Sequence, residues 1–167
     1  YQHDASAGVT AAYPTTNLPI EALGGCSFDT GIAANYGKVL GSELVSIGSN
    51  YELGAQFDLT RTITWTRADD SFGEDQYLVG EMAVAEVDAM QHNGAGAEGK
   101  HIGAYCTNGD GQLWTFVDEQ TLHTLYLYTF EQPMVRADMA SVMTTYTRLN
   151  GYYTYVNEYM LKDVLRD

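Results

Sequence analysis

A lysine and a histidine stand side by side in EGKHIGAY, residues 98–105, at the start of a short apolar run. The run is strand-like in length and ends at Tyr105 and Cys106 in a polar, glycine-rich stretch, which predicts a strand opening into a loop. Lysine is rarely buried without an anionic or hydroxyl partner, so Lys100 in such a strand asks for a carboxylate or a ligand. Taken alone, the dipeptide also describes a strand-edge lysine reaching to water beside a core histidine. Asn108 and Asp110 follow this strand, and two other loops carry comparable groups: Arg61, Trp65, Arg67, Asp69 and Asp70 in one, Tyr146, Thr147, Arg148 and Asn150 in the other.

The elements that would position these residues are legible from apolar spacing. Ile32, Tyr36, Val39, Leu40, Leu44 and Ile47 recur at helical intervals, with Ser27 or Asp29 as N-cap and Gly48 just past the end. A second helix is predicted from Glu74, burying Leu78, Met82, Ala85 and Ala89; a third is capped by Asp118 and turns Leu122, Leu125, Tyr126 and Phe130 inward; a last begins at Asn157 with Leu161, Val164 and Leu165. YELGAQFDL and SVMTTY read as strands, residues 1–13 as an irregular lead-in, and YPTTNLPIEALGG as a brief strand and turn. Strand onsets near Tyr51, Gly99 and Ser141 are spaced like βα units, which predicts an α/β fold with parallel strands. Sites in such folds lie at the carboxyl ends of the strands, where the three polar loops fall.

Composition narrows the partners. A chain of 167 residues with 45% hydrophobic content builds one core, as a single domain or a piece of a larger one. Its net charge of −14 repels phosphate backbones and anionic membranes, so nucleic acid is not an expected partner. No apolar run is long enough to span a bilayer, and no signal-peptide pattern starts at Tyr1. The first residue is not Met, so the chain is expected to begin after processing or to be a fragment. Cys26 and Cys106 allow one disulfide or two free thiols, and their spacing matches no metal or redox motif; no cofactor is expected. NGDG at 108–111 lacks the distal glutamate of a calcium loop, and neither cysteines nor leader assign a compartment.

Several ordered motifs resemble family 3 glycoside hydrolases, the β-glucosidase and β-xylosidase group. RTITWTRADDSFGEDQYLVGEMA is similar to the family's Arg-x-x-x-Trp-Gly-Arg and Phe-Gly-Glu-Asp-Pro-Tyr-Leu stretch, and GKHIGAY to its Lys-His-Phe strand. VDEQTLHTLYLYTFE, SVMTTYTRLNG and NEYMLKDVLRD resemble the helix, turn and helix that follow, and YPTTNLPIEALGGCSFD the segment before. The resemblance covers nearly the whole chain. It implies part of a (β/α)8 TIM-type barrel over residues 1–167, roughly its second to fifth βα units, with the rest of the barrel and further domains supplied by the same or another chain.

The resemblance also implies residue roles. Arg67, Lys100 and His101 match groups that hold the hydroxyls of the reacting sugar, Tyr146 and Met143 match the wall near the nucleophile, Trp65 lies in the same family loop, and Asp70 stands where the family usually has Glu, from which a partner role is inferred. The implied substrate is a terminal β-linked glucose or xylose, hydrolysed with retention through two carboxylates. The implied nucleophile is an Asp in a Ser-Asp-Trp beyond Asp167, and a further sugar-binding Asp is implied before Tyr1, so this piece would bind sugar without cleaving it. The alternative is a non-catalytic carbohydrate-binding or structural remnant. Neighbouring strand residues face opposite sides, so Lys100 and His101 meet one ligand only across a bulge or a cis peptide, which the family has at this junction. Ile102, Thr66, Ala68 and Thr147 depart from the family's usual Phe, Gly, Asn and Asn.

Overall fold

A computed structural model describes residues 1–106 and 114–166 of the chain. Asn108, Asp110 and the NGDG run lie outside the described residues. The strands are β1 (Gln2–His3), β2 (Tyr51–Glu52), β3 (Glu98–Ile102), β4 (Trp114–Thr115), β5 (Ser141–Thr144), β6 (Arg148–Leu149) and β7 (Tyr152–Tyr153). The helices are α1 (Glu21–Gly25), α2 (Thr30–Ser46), α3 (Gln76–His92), α4 (Glu119–Thr121) and α5 (Tyr128–Ala137), with π-helical turns at Leu122–Leu127 and Tyr159–Val164. The fold is α/β with mostly parallel strands: β1 pairs with β2, β3 with β5 and β4 with β6, all parallel, β6 pairs with β7 antiparallel, and bridges from Tyr51 to Gly96 and from Gln56 to Lys100 join the first two pairs into one series.

Side-chain caps start the helices where the sequence places them. Asp29 accepts from the Gly31 N–H, Asp75 from Leu78 and Asp118 from Thr121, each satisfying a donor that the first helical turn leaves open. Helices α2, α3 and α5 pack side by side over the strands, and the core between them holds Leu40, Leu44, Phe57, Val79, Met82, Met90 and Phe130. The α2 contact face is set by small residues. A Cβ on Gly37 would stand 2.2 Å from the Glu86 carbonyl oxygen, so the two helix backbones touch there.

That contact corrects one expectation, because Ile32 is exposed while Ala33, Gly37 and Gly41 are buried: the large apolar residues mark the stripe, but its centre lies on the small ones. The π-helical turn shifts the third helix similarly, leaving Leu125 and Tyr126 half-buried and burying Leu127 and Thr129 with Phe130. The YELGAQFDL strand is also shorter than expected, pairing only at Tyr51–Glu52 before it continues as irregular backbone with single bonds to β3. The lead-in over residues 1–13 carries β1, and the stretch expected to be a brief strand and turn forms α1; two- and five-residue elements are too short to show a period. Cys26 is exposed and Cys106 buried, and both are free thiols.

Candidate functional site

Strand β3 loses its register where the lysine and histidine stand. Lys100 pairs with Met143 and Ile102 with Thr144, so His101 drops out of the ladder, and the Lys100-His101 peptide bond is cis. Both side chains border one cavity of about 410 Å3, together with Asp4, Ser6, Leu53, Arg67, Met143 and Tyr146. The structure therefore brings together five of the residues singled out in the sequence: Arg67, Lys100, His101, Met143 and Tyr146.

Each cation at this cavity is held by an oxygen acceptor. The Lys100 ammonium is 4% exposed and donates to Asp4 Oδ1 and to the Leu53 carbonyl, both at 2.8 Å. Gly54, at φ +90°, makes room for it, since a Cβ there would lie 2.2 Å from Lys100 Cδ. Asp58, buried between Phe57 and Leu59, accepts from His101 twice, from the backbone N–H and from Nδ1, each at 2.9 Å. With Nδ1–H committed to a carboxylate, Nε2 is left to accept from Arg67 Nη1 at 3.3 Å. Arg67 closes the chain by donating Nε–H and Nη2–H to Asp70 Oδ2, both at 3.1 Å.

Burial pushes the Asp58 carboxyl up, and its bonds to His101 and the charge of Arg67 oppose that rise. The Arg67 loop is fastened to the strands as well: Gln56 Nε2 donates to the Arg67 carbonyl, Thr60 N–H to the Gly73 carbonyl, and the Ser71 hydroxyl to the Asp58 carbonyl. A proton count then states what the site offers. Among the described residues Lys100 uses two of its three N–H groups and Arg67 three of its five, which leaves donors for a hydroxyl-bearing ligand.

Two candidates stand back from the cavity. Trp65 is 2% exposed and packs edge-on against Tyr105 at 5.6 Å, and Tyr105 in turn meets His101 at 5.1 Å and Tyr146 at 6.2 Å. It buttresses the aromatic wall and does not border the space. Asp70 likewise orients Arg67 and is not among the lining residues. Asp4, Ser6, Asp58 and the Leu53 carbonyl were not singled out in the sequence. Asp58 carried a signal, a carboxylate between two apolar residues of a strand, whereas Asp4 sits in a polar stretch where nothing distinguishes it.

A sequence profile of the glycosyl hydrolase family 3 N terminal domain matches residues 1–167. The chain belongs to glycosyl hydrolase family 3. Among curated relatives of this family member, a thermostable beta-glucosidase B of Acetivibrio thermocellus is 32% identical over 164 residues, covering 96% of this chain and 22% of the relative. A beta-glucosidase of Rhizobium radiobacter is 31% identical over 151 residues, covering 90% and 18%. The structure of beta-glucosidase 3B from Thermotoga neapolitana in complex with glucose superposes with a TM-score of 0.94 at 31% identity, over 99% of this chain and 24% of that one. The family 3 chain thus spans about a quarter or less of the length of these relatives.

Proposed function

We propose that this chain is the sugar-holding part of a (β/α)8 barrel, roughly βα units 2 to 5, in a retaining exo-acting β-glycosidase that removes terminal β-linked glucose or xylose. The observation that carries the reading is the convergence of Lys100, His101, Arg67, Met143 and Tyr146 on one cavity in a member of this family. Relatives of similar sequence are named β-glucosidases, and one neighbouring structure holds glucose.

The chemistry follows from the donor set. A neutral sugar presents adjacent hydroxyls, and an ammonium beside a planar guanidinium donates several charge-assisted bonds to them. Lys100 and Arg67 hold the hydroxyls, His101 is kept in one tautomer by Asp58, and Asp4 offers an acceptor on the rim, its side chain 60% exposed. Bonds of this kind that tighten as the ring approaches an oxocarbenium-like state contribute to rate as well as to binding. The carboxylates nearest the cavity, Asp4, Asp58 and Asp70, are each engaged by a cation or imidazole. In this reading the nucleophile is the Asp that the family resemblance implies beyond Asp167, and the acid comes from another part of the protein.

The test is turnover of an aryl β-glucoside by the full-length protein, with the released sugar followed by NMR. Release of the β-anomer first is expected. Absence of turnover, or release of the α-anomer, sinks the retaining reading.

A further inference from the structure

Three carboxyls are sealed in the interior, on three different elements. Glu21 opens α1, Glu52 ends β2, and Glu86 lies in α3 at the level where Gly37 of α2 touches it, and all three side chains are buried. Among the described residues none of their carboxyl oxygens receives a hydrogen bond of ordinary geometry, and neither does the buried Gln56 Oε1; the backbone N–H groups of Gln56 and Ala55 come near Glu21 and Glu52 and offset part of the cost of their burial. An ionised carboxylate in such a place bears the full cost of leaving water, whereas the protonated acid is far cheaper to bury. Among the described residues the surroundings supply one counter-charge, Lys100, and it faces Glu52 alone. Tyr36 faces the cluster from α2 and donates its hydroxyl to backbone carbonyls of Ser6 and Pro19; Asp70 faces Glu21 from the loop; Asp4, Glu98 and Lys100 face Glu52 from β3 and the segment after β1. Lys100 is the one cation in this set, and Asp4 and the Leu53 carbonyl already hold it.

We propose that Glu21, Glu52 and Glu86 form a pH-sensitive lock: the fold closes with these carboxyls protonated, and their ionisation at rising pH loosens the packing of α1, α2 and α3 behind the cavity. The electrostatics agree in direction. Burial first, then repulsion from Glu86, Glu52 and Asp70, pushes Glu21 well up; burial and Glu52 do the same to Glu86; and burial takes Glu52 to about 8 although Lys100 pulls it down. A carboxyl raised in the folded state stabilises the fold fully below its unfolded value of 4.5 and loses that contribution as pH rises through the folded value, which for Glu52 defines a window up to about 8.

Hydrogen exchange of the full-length protein, read on peptides covering Thr30–Ser46 and Gln76–His92 and corrected for the intrinsic pH dependence of exchange, tests the lock. Protection of both helices should fall roughly tenfold or more between about pH 5 and about pH 8, and stay level in the Glu21→Gln/Glu52→Gln/Glu86→Gln variant. The same pH trend in both proteins overturns the proposal. So does restoration of wild-type protection at the higher pH by calcium or magnesium, because a cation would then be the partner of the cluster. Should the triple variant fail to fold, infrared spectroscopy decides: a protonated-carboxyl band at about pH 6.5 that weakens in Glu52→Gln supports the lock, and its absence from the wild type overturns it.

Discussion

Asp58 and Glu52 lie on the same segment after α2, both buried, and their surroundings are opposite. Asp58 receives two bonds from His101 and lies near the charge of Arg67, while Glu52 has no side-chain donor among the described residues, feels Lys100 only at a remove, and lies near other acids. The same contrast separates two regions of the molecule. At the cavity wall every charge has a partner: Lys100 with Asp4, His101 with Asp58, Arg67 with Asp70. Behind it, Glu21, Glu52 and Glu86 have no side-chain partner among the described residues. The difference teaches that burial alone does not say what a carboxyl does. A partnered carboxylate orients its neighbour; burial beside other acids pushes a carboxyl's pKa up, which in the proposed lock ties the stability of the fold to pH.

Breaking a partnership at the wall should have the largest effect. Asp58→Ala leaves the His101 backbone N–H and Nδ1–H without an acceptor in a buried site, and about 3–5 kcal/mol of stability should be lost in denaturant unfolding. A loss under about 1 kcal/mol would mean that Asp58 is not the anchor of His101. Next comes Lys100→Met, which keeps the stem and deletes the ammonium. On an aryl β-glucoside it should lower kcat/KM roughly ten- to a hundredfold, the worth of one charged hydrogen bond in the transition state, and an unchanged value would separate the lysine from substrate.

The unpartnered region should respond in the other direction. Glu86→Leu removes a buried carboxyl that no described residue satisfies, so at about pH 8 the variant should be about 1–3 kcal/mol more stable than the wild type, with the gain shrinking toward about pH 4.5. A destabilised variant at both pH values would erase the contrast between the two regions. The smallest effect belongs to Lys162→Ala, which breaks an exposed pair with Glu158 and should leave the melting temperature unchanged within error. A clear drop there would mean that exposed pairs also carry this fold.

Much of this molecule is written locally. The helices around Leu40, Met82 and Phe130 follow from apolar spacing and from the caps Asp29, Asp75 and Asp118, because capping and periodicity act within a few residues. The Lys-His strand and the arginine loop were also legible, as motifs in family order. What the chain could not disclose by itself was who sits opposite whom. Asp4 reaches Lys100 only because β1 pairs with β2 and brings the lead-in to the mouth of the cavity. Trp65 turns inward to Tyr105 in a loop pinned to Asp58 and Thr60, which no spacing rule anticipates. Glu21, Glu52 and Glu86 are far apart in sequence, and each alone reads as an ordinary acid. Only tertiary packing, such as the approach of α2 to α3 at Gly37, decides that all three are buried, since the cost of burying charge depends on neighbours that packing alone assembles.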